Sequence, residues 1–410
     1  MKVYLDNLSS TRVDEEVIES MLPFYNEIIS PPSSDYGHSF GVEAKQALDN
    51  SRKIIASKLN ANEEEVIFTS GQAESNNFAI KGIAFANMKK TKKFIIASAI
   101  SHSTVLDSLK TLERYFDFHV ELVNVDSEGF IDREHLKALL KEKPILFSVS
   151  HGNVEIGTIE NINELASICH EYNVPIHVDA TFSFCKVPLN VEKANLDLVT
   201  IEGHHIHGPK GIGALYIKKS IKLLSLIDGG LQENQKRGGT ENLPAIVGFA
   251  KAVELYTPDI IMKTQRLRDY LWNKFSEIIP NFQITGTSDK EKRLPHHFSV
   301  VINYVEGESI LLHLDMLGFM IATGSACSSK QLKASHVLSA IGLPTEVSHG
   351  SVRVGISKYN TEEEINRFIA HLSKIVERLR AMSPMDAEFM REWQEMKDKG
   401  EITEEDLHHH

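Results

Sequence analysis

Cysteine is scarce in this chain, with three among 410 residues: Cys169, Cys185 and Cys327. That is too few for a disulfide scaffold, so each thiol is judged by its setting. Long apolar runs are missing too, and no stretch approaches the roughly 20 residues needed to cross a bilayer. The opening residues M-K-V-Y-L-D lack the apolar core of a signal peptide. Both absences lead to the expectation of a cytoplasmic protein with no membrane partner. Positive charge is also in deficit. With 44 Lys and Arg against 56 Asp and Glu, the formal net charge is -12, which argues against a nucleic-acid-binding surface because phosphate contacts need clustered cations. Neither internal repeats nor low-complexity linkers interrupt the chain.

What is present is an ordinary globular composition, 42% hydrophobic and 24% charged, on a chain long enough for two domains and a sizeable core. Apolar residues at helical spacing predict a helix over 15–28, ended by Pro31-Pro32-Ser33-Ser34, and another over 42–59. A buried strand at 66–71 (V-I-F-T-S-G) runs into a helix, and that junction forms an anion site of free backbone N–H groups. Strands are predicted at 94–98, 119–123, 144–149 and 176–179, with helices at 105–115, 132–142 and 162–172 between them. This alternation predicts an α/β fold with a doubly wound, mostly parallel sheet. Ligands on such sheets sit at the carboxyl ends of the strands, where the polar clusters after Thr69, Val149, Val178 and Ile201 fall.

The rhythm changes after a helix at 247–256. A helix over 265–279, strand-like runs at 299–305 and 319–323, the turn G-S-A-C-S-S and a closing helix over 362–380 suggest a second, smaller α+β domain. The expected division is a large domain at 13–258, a small domain made of 1–12 with 259–383, and a charged tail at 384–410. The tail ends in His408-His409-His410, which reads as the remnant of a purification tag.

Eight separated motifs carry a resemblance. They are Y-L-D-N from Tyr4, F-T-S-G-Q-A-E-S-N-N from Phe68, E-I-G-T-I from Glu155, H-V-D-A from His177, G-P-K-G-I-G-A-L-Y from Gly208, G-G-L-Q-E from Gly229, R-G-G-T-E-N from Arg237 and T-G-S-A-C-S-S from Thr323. In this order they make the chain resemble the cysteine desulfurases of the NifS/IscS type. These are class V aminotransferases of the pyridoxal-phosphate (PLP) fold-type I superfamily, and the likeness runs from Tyr4 to about Pro384. The resemblance implies that His102 stacks on the pyridine ring and Asp179 pairs with its nitrogen. It implies that His204 and, from a partner subunit, Thr240 contact the phosphate, which leads to the expectation of a homodimer. It implies that Arg353 holds the substrate carboxylate, and that Cys327 takes sulfur as a persulfide and passes it to an IscU-like iron–sulfur scaffold protein.

The chain departs from that pattern at the cofactor. Where the family carries the lysine that forms the Schiff base, the register here gives His205. An aldimine needs a primary amine, and imidazole has none. Ala73 replaces a phosphate-binding threonine and Glu202 a phosphate-binding serine, while Val154 and Phe182 replace an asparagine and a glutamine that bond the ring oxygen. A carboxylate about 4 Å from a phosphate costs roughly 4 kcal/mol at an effective dielectric near 20, or about a thousandfold in affinity. Each neutral hydrogen bond lost adds about 1 kcal/mol. No bound PLP is therefore expected. Lys210, the other lysine of the stretch, has a family counterpart besides the catalytic one and reads as structural.

Cys327 keeps its small-residue loop and is the candidate catalytic thiol with His102, whereas Cys169 and Cys185 sit in core-like patterns. The leading expectation is a desulfurase-like protein of iron–sulfur cluster assembly. It would offer Cys327 as persulfide carrier, or as ligand to an Fe–S cluster shared with the scaffold, drawing sulfur from a donor other than PLP chemistry. Three alternatives stand beside it. One is an ordinary PLP-dependent desulfurase, one a metal site built from His102, His204, His205 and Glu202, and one a catalytically dead homologue that binds partners. His296-His297 reads as a loop feature and His207 as packing.

Overall fold

The computed structural model describes residues 2–89, 92–324 and 335–382. A short strand, β1 (Val3–Tyr4), is followed by helices α1 (Glu15–Met21), α2 (Pro23–Asn26) and α3 (Ser39–Leu59). The single helix expected over 15–28 is two, because Pro23 has no N–H to continue α1 and instead opens α2. Strands and helices then alternate as β2 (Val66–Thr69), α4 (Gln72–Ala86), β3 (Phe94–Ser98), α5 (Ser103–Phe116), β4 (His119–Val123) and α6 (Arg133–Lys141). They continue as β5 (Phe147–Ser150), α7 (Ile162–Glu171), β6 (Ile176–Asp179), β7 (Leu198–Glu202), β8 (Gly213–Ile217) and α8 (Leu243–Leu255).

Strands β2 to β8 form one seven-stranded sheet in the order β2-β8-β7-β6-β5-β3-β4. Its pairings are parallel from β4 across to β7, and β8 runs antiparallel to both β7 and β2. The exception has a local cause. β7 and β8 are joined by the 203–212 loop, too short for a crossover helix, so β8 must return alongside β7. The sheet is buried on both faces, as parallel sheets require. On one side Val66, Phe68, Ile96, Phe147 and Val178 pack under α1, α3, α6, α7 and α8. On the other, Ile67, Ile95, Ala97 and Leu198 meet α4 and α5 through Phe78, Val105 and Leu109. The strand carboxyl ends thus form a common edge between two sealed faces.

The rest of the chain builds a second core. Helix α9 (Pro258–Ile278) begins well before the expected Gln265, with Pro258 at its first position. It is followed by β9 (Phe282–Ile284), β10 (His297–Ile302), α10 (Gly307–Met316), β11 (Phe319–Met320), α11 (His336–Ala340), α12 (Thr345–Ser348), β12 (Ser351–Gly355) and α13 (Glu362–Met382). β10 lies between β12 and β9, antiparallel to both, and β1 pairs parallel with β11. Val3 and Leu5 enter the same cluster as Phe275, Phe298, Ile310, Val354 and Phe368. Of the two histidines read as a loop feature, His296 does lie in the turn before β10, but His297 does not. His297 opens β10, both are buried, and His297 Nε2 donates to the Val154 carbonyl at 2.9 Å.

Candidate functional site

A cavity of about 660 Å³ opens at the carboxyl ends of β2, β5, β6 and β7 and is closed on its far side by residues 323–324, 335–337 and Arg353. The sequence-derived candidates His102, Ala73, Val154, Phe182, Glu202, His204, His205 and Arg353 all line it. Asp179 lies buried beneath. Thr240 is exposed on the segment before α8 and does not line this chain's own cavity. Lys210 is exposed in its turn. Cys327 lies outside the described residues, but Gly324 before it and Ser335 after it both line the cavity.

The end of β6 saturates one carboxylate, although Asn76 Oδ1 beside it has no partner among the described residues. Asp179 Oδ2 accepts from Gln72 Nε2 and Asn76 Nδ2, each at 2.8 Å, and Oδ1 accepts from the Thr181 N–H at 3.1 Å and its hydroxyl at 2.6 Å. Gln72 and Asn76 stand one helical turn apart on α4, so both reach the same carboxylate. Asn76 Nδ2 also donates to Thr104 Oγ1 at 2.8 Å, which leaves the Thr104 hydroxyl hydrogen for His102 Nδ1 at 2.9 Å. His102 is therefore oriented from Asp179 through two side chains, with its proton on Nε2. Burial holds its pKa below the ordinary histidine value, while Asp179 pulls the other way.

The end of β7 is different. Glu202 is buried at the strand terminus, and the next residues form a tight turn, His204–Ile206, closed by His207 in the left-handed region at φ 64°. His207 is tied down by its own N–H to Thr11 Oγ1 and by Nδ1 donating to the Arg12 carbonyl at 2.8 Å. His204 Nδ1 stands 3.0 Å from Glu202 Oε1 at ion-pair distance, yet no hydrogen bond satisfies that nitrogen among the described residues. The Glu202 carboxylate lies over Gly71, the residue before α4, so closely that a Cβ there would meet Oε1 at 2.5 Å. The protein's own carboxylate thus sits beside the helix N-terminus that the sequence marked as an anion site.

His205 is buried, with its ring centroid 4.6 Å from Phe182 and 4.0 Å from His204. Burial drives its pKa well below the usual value, and His204, Lys186 and His102 add to the effect. The ligand atoms of Glu202, His204 and His205 lie within 4.8 Å of one another. His102, expected to join them, is not part of that group, and its Nδ1 is turned to Thr104.

Across the cavity, Arg353 on β12 keeps a buried Nε without a hydrogen-bond partner. Nearby Glu155 is pushed up by burial, against the pull of Ser335, Arg353 and His336. Sequence reasoning missed three participants. Gln72 and Asn76 were visible only as motif letters, and nothing local connects them to a carboxylate more than 100 residues away. Lys186 is wholly buried and pushed down to about 7, with its amine 3.3 Å from the Phe182 carbonyl. Nothing in the sequence around it marks a buried amine. Cys169 and Cys185 are buried, as their patterns suggested, and burial lifts both thiols to about 12.

A family model described as Aminotransferase class-V matches residues 3–368. A cysteine desulfurase IscS of Dictyoglomus turgidum is 44% identical over 395 residues, covering 96% of this chain and 98% of that protein. One from Methanosarcina thermophila is 43% identical over 386 residues, covering 93% and 94%. Among solved structures, a NifS-like protein superposes with a TM-score of 0.85 at 33% identity, covering 92% of this chain and all of the other. With that fold, those motifs and these relatives, the chain belongs to the class-V aminotransferase family, in its cysteine desulfurase branch of the NifS/IscS type.

Proposed function

We propose that this protein serves iron–sulfur cluster assembly as a desulfurase-like homodimer that presents Cys327 to an IscU-like scaffold protein and works without PLP. The family is PLP-dependent, and the residues present here do not fit that cofactor. Among the described residues no lysine lines the cavity, so no primary amine faces it. The carrying observation is the place of Glu202. Its carboxylate occupies the ground beside Gly71 at the start of α4, where a phosphate would need free N–H groups and no competing negative charge. Ala73, Val154 and Phe182 add apolar surface to the same wall.

The chemistry that remains is thiol chemistry. The Cys327 thiolate would attack the outer sulfur of a small persulfide R–S–SH, forming Cys327–S–SH and releasing R–S⁻, with no oxidant needed. Arg353, with an unsatisfied Nε, would hold a carboxylate on the donor. Exposed Thr240 is free to meet a second subunit. A cluster bridging to the scaffold would use the same thiolate as ligand. A second reading, an ordinary PLP-dependent desulfurase, draws on the four hydrogen bonds to Asp179 and on His102 and Arg353 facing the cavity.

The discriminating experiment treats the full chain with glutathione persulfide, or with L-cysteine and PLP, and maps added sulfur by peptide mass spectrometry. The expected outcome is one added sulfur on Cys327 from the persulfide alone, none on Cys169 or Cys185, and no sulfide from L-cysteine. PLP-dependent sulfide release that disappears in Cys327→Ala would restore the second reading. No sulfur on Cys327 under either condition would leave a partner-binding homologue.

A further inference from the structure

We infer that the end of β7 is a binding site for a divalent transition metal ion, Zn²⁺ or Fe²⁺, held by Glu202, His204 and His205 with its open coordination positions facing the cavity. This goes beyond the thiol chemistry proposed above and does not depend on it. The two can fail separately.

Two imidazoles and one carboxylate, drawn from four consecutive residues, have ligand atoms within 4.8 Å of one another. Donors that share an ion at about 2.1 Å stand about 3.0 Å apart at octahedral angles and about 3.4 Å apart at tetrahedral ones. His204 Nδ1 and Glu202 Oε1 already stand at 3.0 Å. Bringing His205 in takes a further closure of about 1–2 Å, within the broad rotation that histidine χ2 allows. The His204 nitrogen is also the right kind of vacancy, a buried ring nitrogen without a hydrogen bond, aimed beside a carboxylate oxygen. A buried polar atom left unpaired costs roughly 1–3 kcal/mol, and a metal ion would remove that cost.

The surroundings fit an ion better than an organic anion. The Glu202 carboxylate lies against the Gly71 backbone, where any side chain at 71 would collide with Oε1. The turn that carries both histidines is fixed on its far side by the Thr11 hydrogen bonds to the His204 carbonyl and the His207 N–H. The donor set also selects the metal class. Imidazole nitrogens suit Zn²⁺ and Fe²⁺, whereas Ca²⁺ and Mg²⁺ take oxygen shells. Three protein ligands leave one position open on a tetrahedral ion and three on an octahedral one. All four flanking candidates on that side, Ala73, His102, Val154 and Phe182, line the same cavity. A small thiolate or carboxylate entering it would be the exogenous ligand.

The test uses full-length protein carrying His408→Ala, His409→Ala and His410→Ala, so that the terminal histidines do not compete. Co²⁺ titration followed by ligand-field absorption should give one tight site. His204→Asn, His205→Asn and Glu202→Gln should each weaken it at least about 100-fold, more than the roughly 10- to 100-fold loss typical of an outer-shell partner. In parallel, X-ray absorption at the zinc edge of the protein with all three ligands intact, loaded with one equivalent of Zn²⁺, should show a nitrogen and oxygen shell with two imidazoles. That measurement does not depend on any ligand variant folding. Unchanged Co²⁺ affinity in the three variants, a shell containing sulfur, or absence of stoichiometric binding would each overturn the site.

Discussion

Two adjacent strands deliver their last residues to one cavity and treat them in opposite ways. At the end of β6, Asp179 meets four donors and passes an orientation on through Asn76 and Thr104 to His102. At the end of β7, Glu202 and His204 approach to 3.0 Å without a hydrogen bond, and His205 is buried beside them. The Asp179 carboxylate is fully bonded within the protein, and the one partnerless atom of that network among the described residues is Asn76 Oδ1. The second end holds polar atoms that the protein alone does not satisfy, and buried groups of that kind mark the place where a ligand belongs. The two ends of one cavity edge thus differ in how far the protein itself satisfies their polar groups.

The contrast predicts unequal costs of substitution. Asp179→Ala strips the acceptor from buried donors on α4 and on the 180–187 loop, so urea unfolding should report a loss of about 3–5 kcal/mol. A loss below about 1 kcal/mol would mean that the Asp179 carboxylate is not bonded as its distances describe.

The next effect comes from pH. His177 on β6 is buried between Ser148 Oγ at 2.9 Å and Thr200 Oγ1 at 3.0 Å, and burial pushes it down to about 4. His151, bonded to Ser183, is likewise pushed to about 4. An unfolded histidine takes its proton near 6.5, so between 6.5 and about 4 the unfolded chain binds protons that the folded one refuses. Stability is therefore full above pH 6.5 and falls as the pH drops, by about 1.4 kcal/mol per pH unit for each such histidine. Unfolding free energies at pH 6.5 and 5.0 should differ by at least about 2 kcal/mol. A flat profile would place these histidines in contact with water.

The smallest change is expected at the β7 end. Glu202→Gln removes a buried negative charge that accepts no hydrogen bond among the described residues. In metal-free protein, stability should rise by about 1 kcal/mol or less. A large loss would show that Glu202 is as firmly bonded as Asp179 and would erase the contrast between the two ends.

Much of this was legible beforehand. The period-2 and period-3.6 runs placed β3, β4 and β6, and the helices between them, within a residue or two. The four polar clusters read at strand ends do surround the cavity. Other features could not be read. The antiparallel β8 comes from a connection length, and the break at Pro23 comes from one missing N–H within an otherwise helical pattern. The pair His296-His297 looked like a loop beside a proline; His296 is in that turn, but His297 opens β10, central to its small sheet, and both are buried.

The sequence by itself determined the fold class, the family and one decisive chemical fact, that the residue at 205 offers an imidazole and no amine, because covalent chemistry is written in the side-chain formula. Only the tertiary structure decided which groups share a volume. It parted His102 from the group of Glu202, His204 and His205, kept it with Asp179, and hid the Lys186 amine in the interior. Those outcomes depend on contacts between segments far apart in the chain, such as Asn76 with Asp179 and Thr11 with His204. No local pattern of residues encodes them.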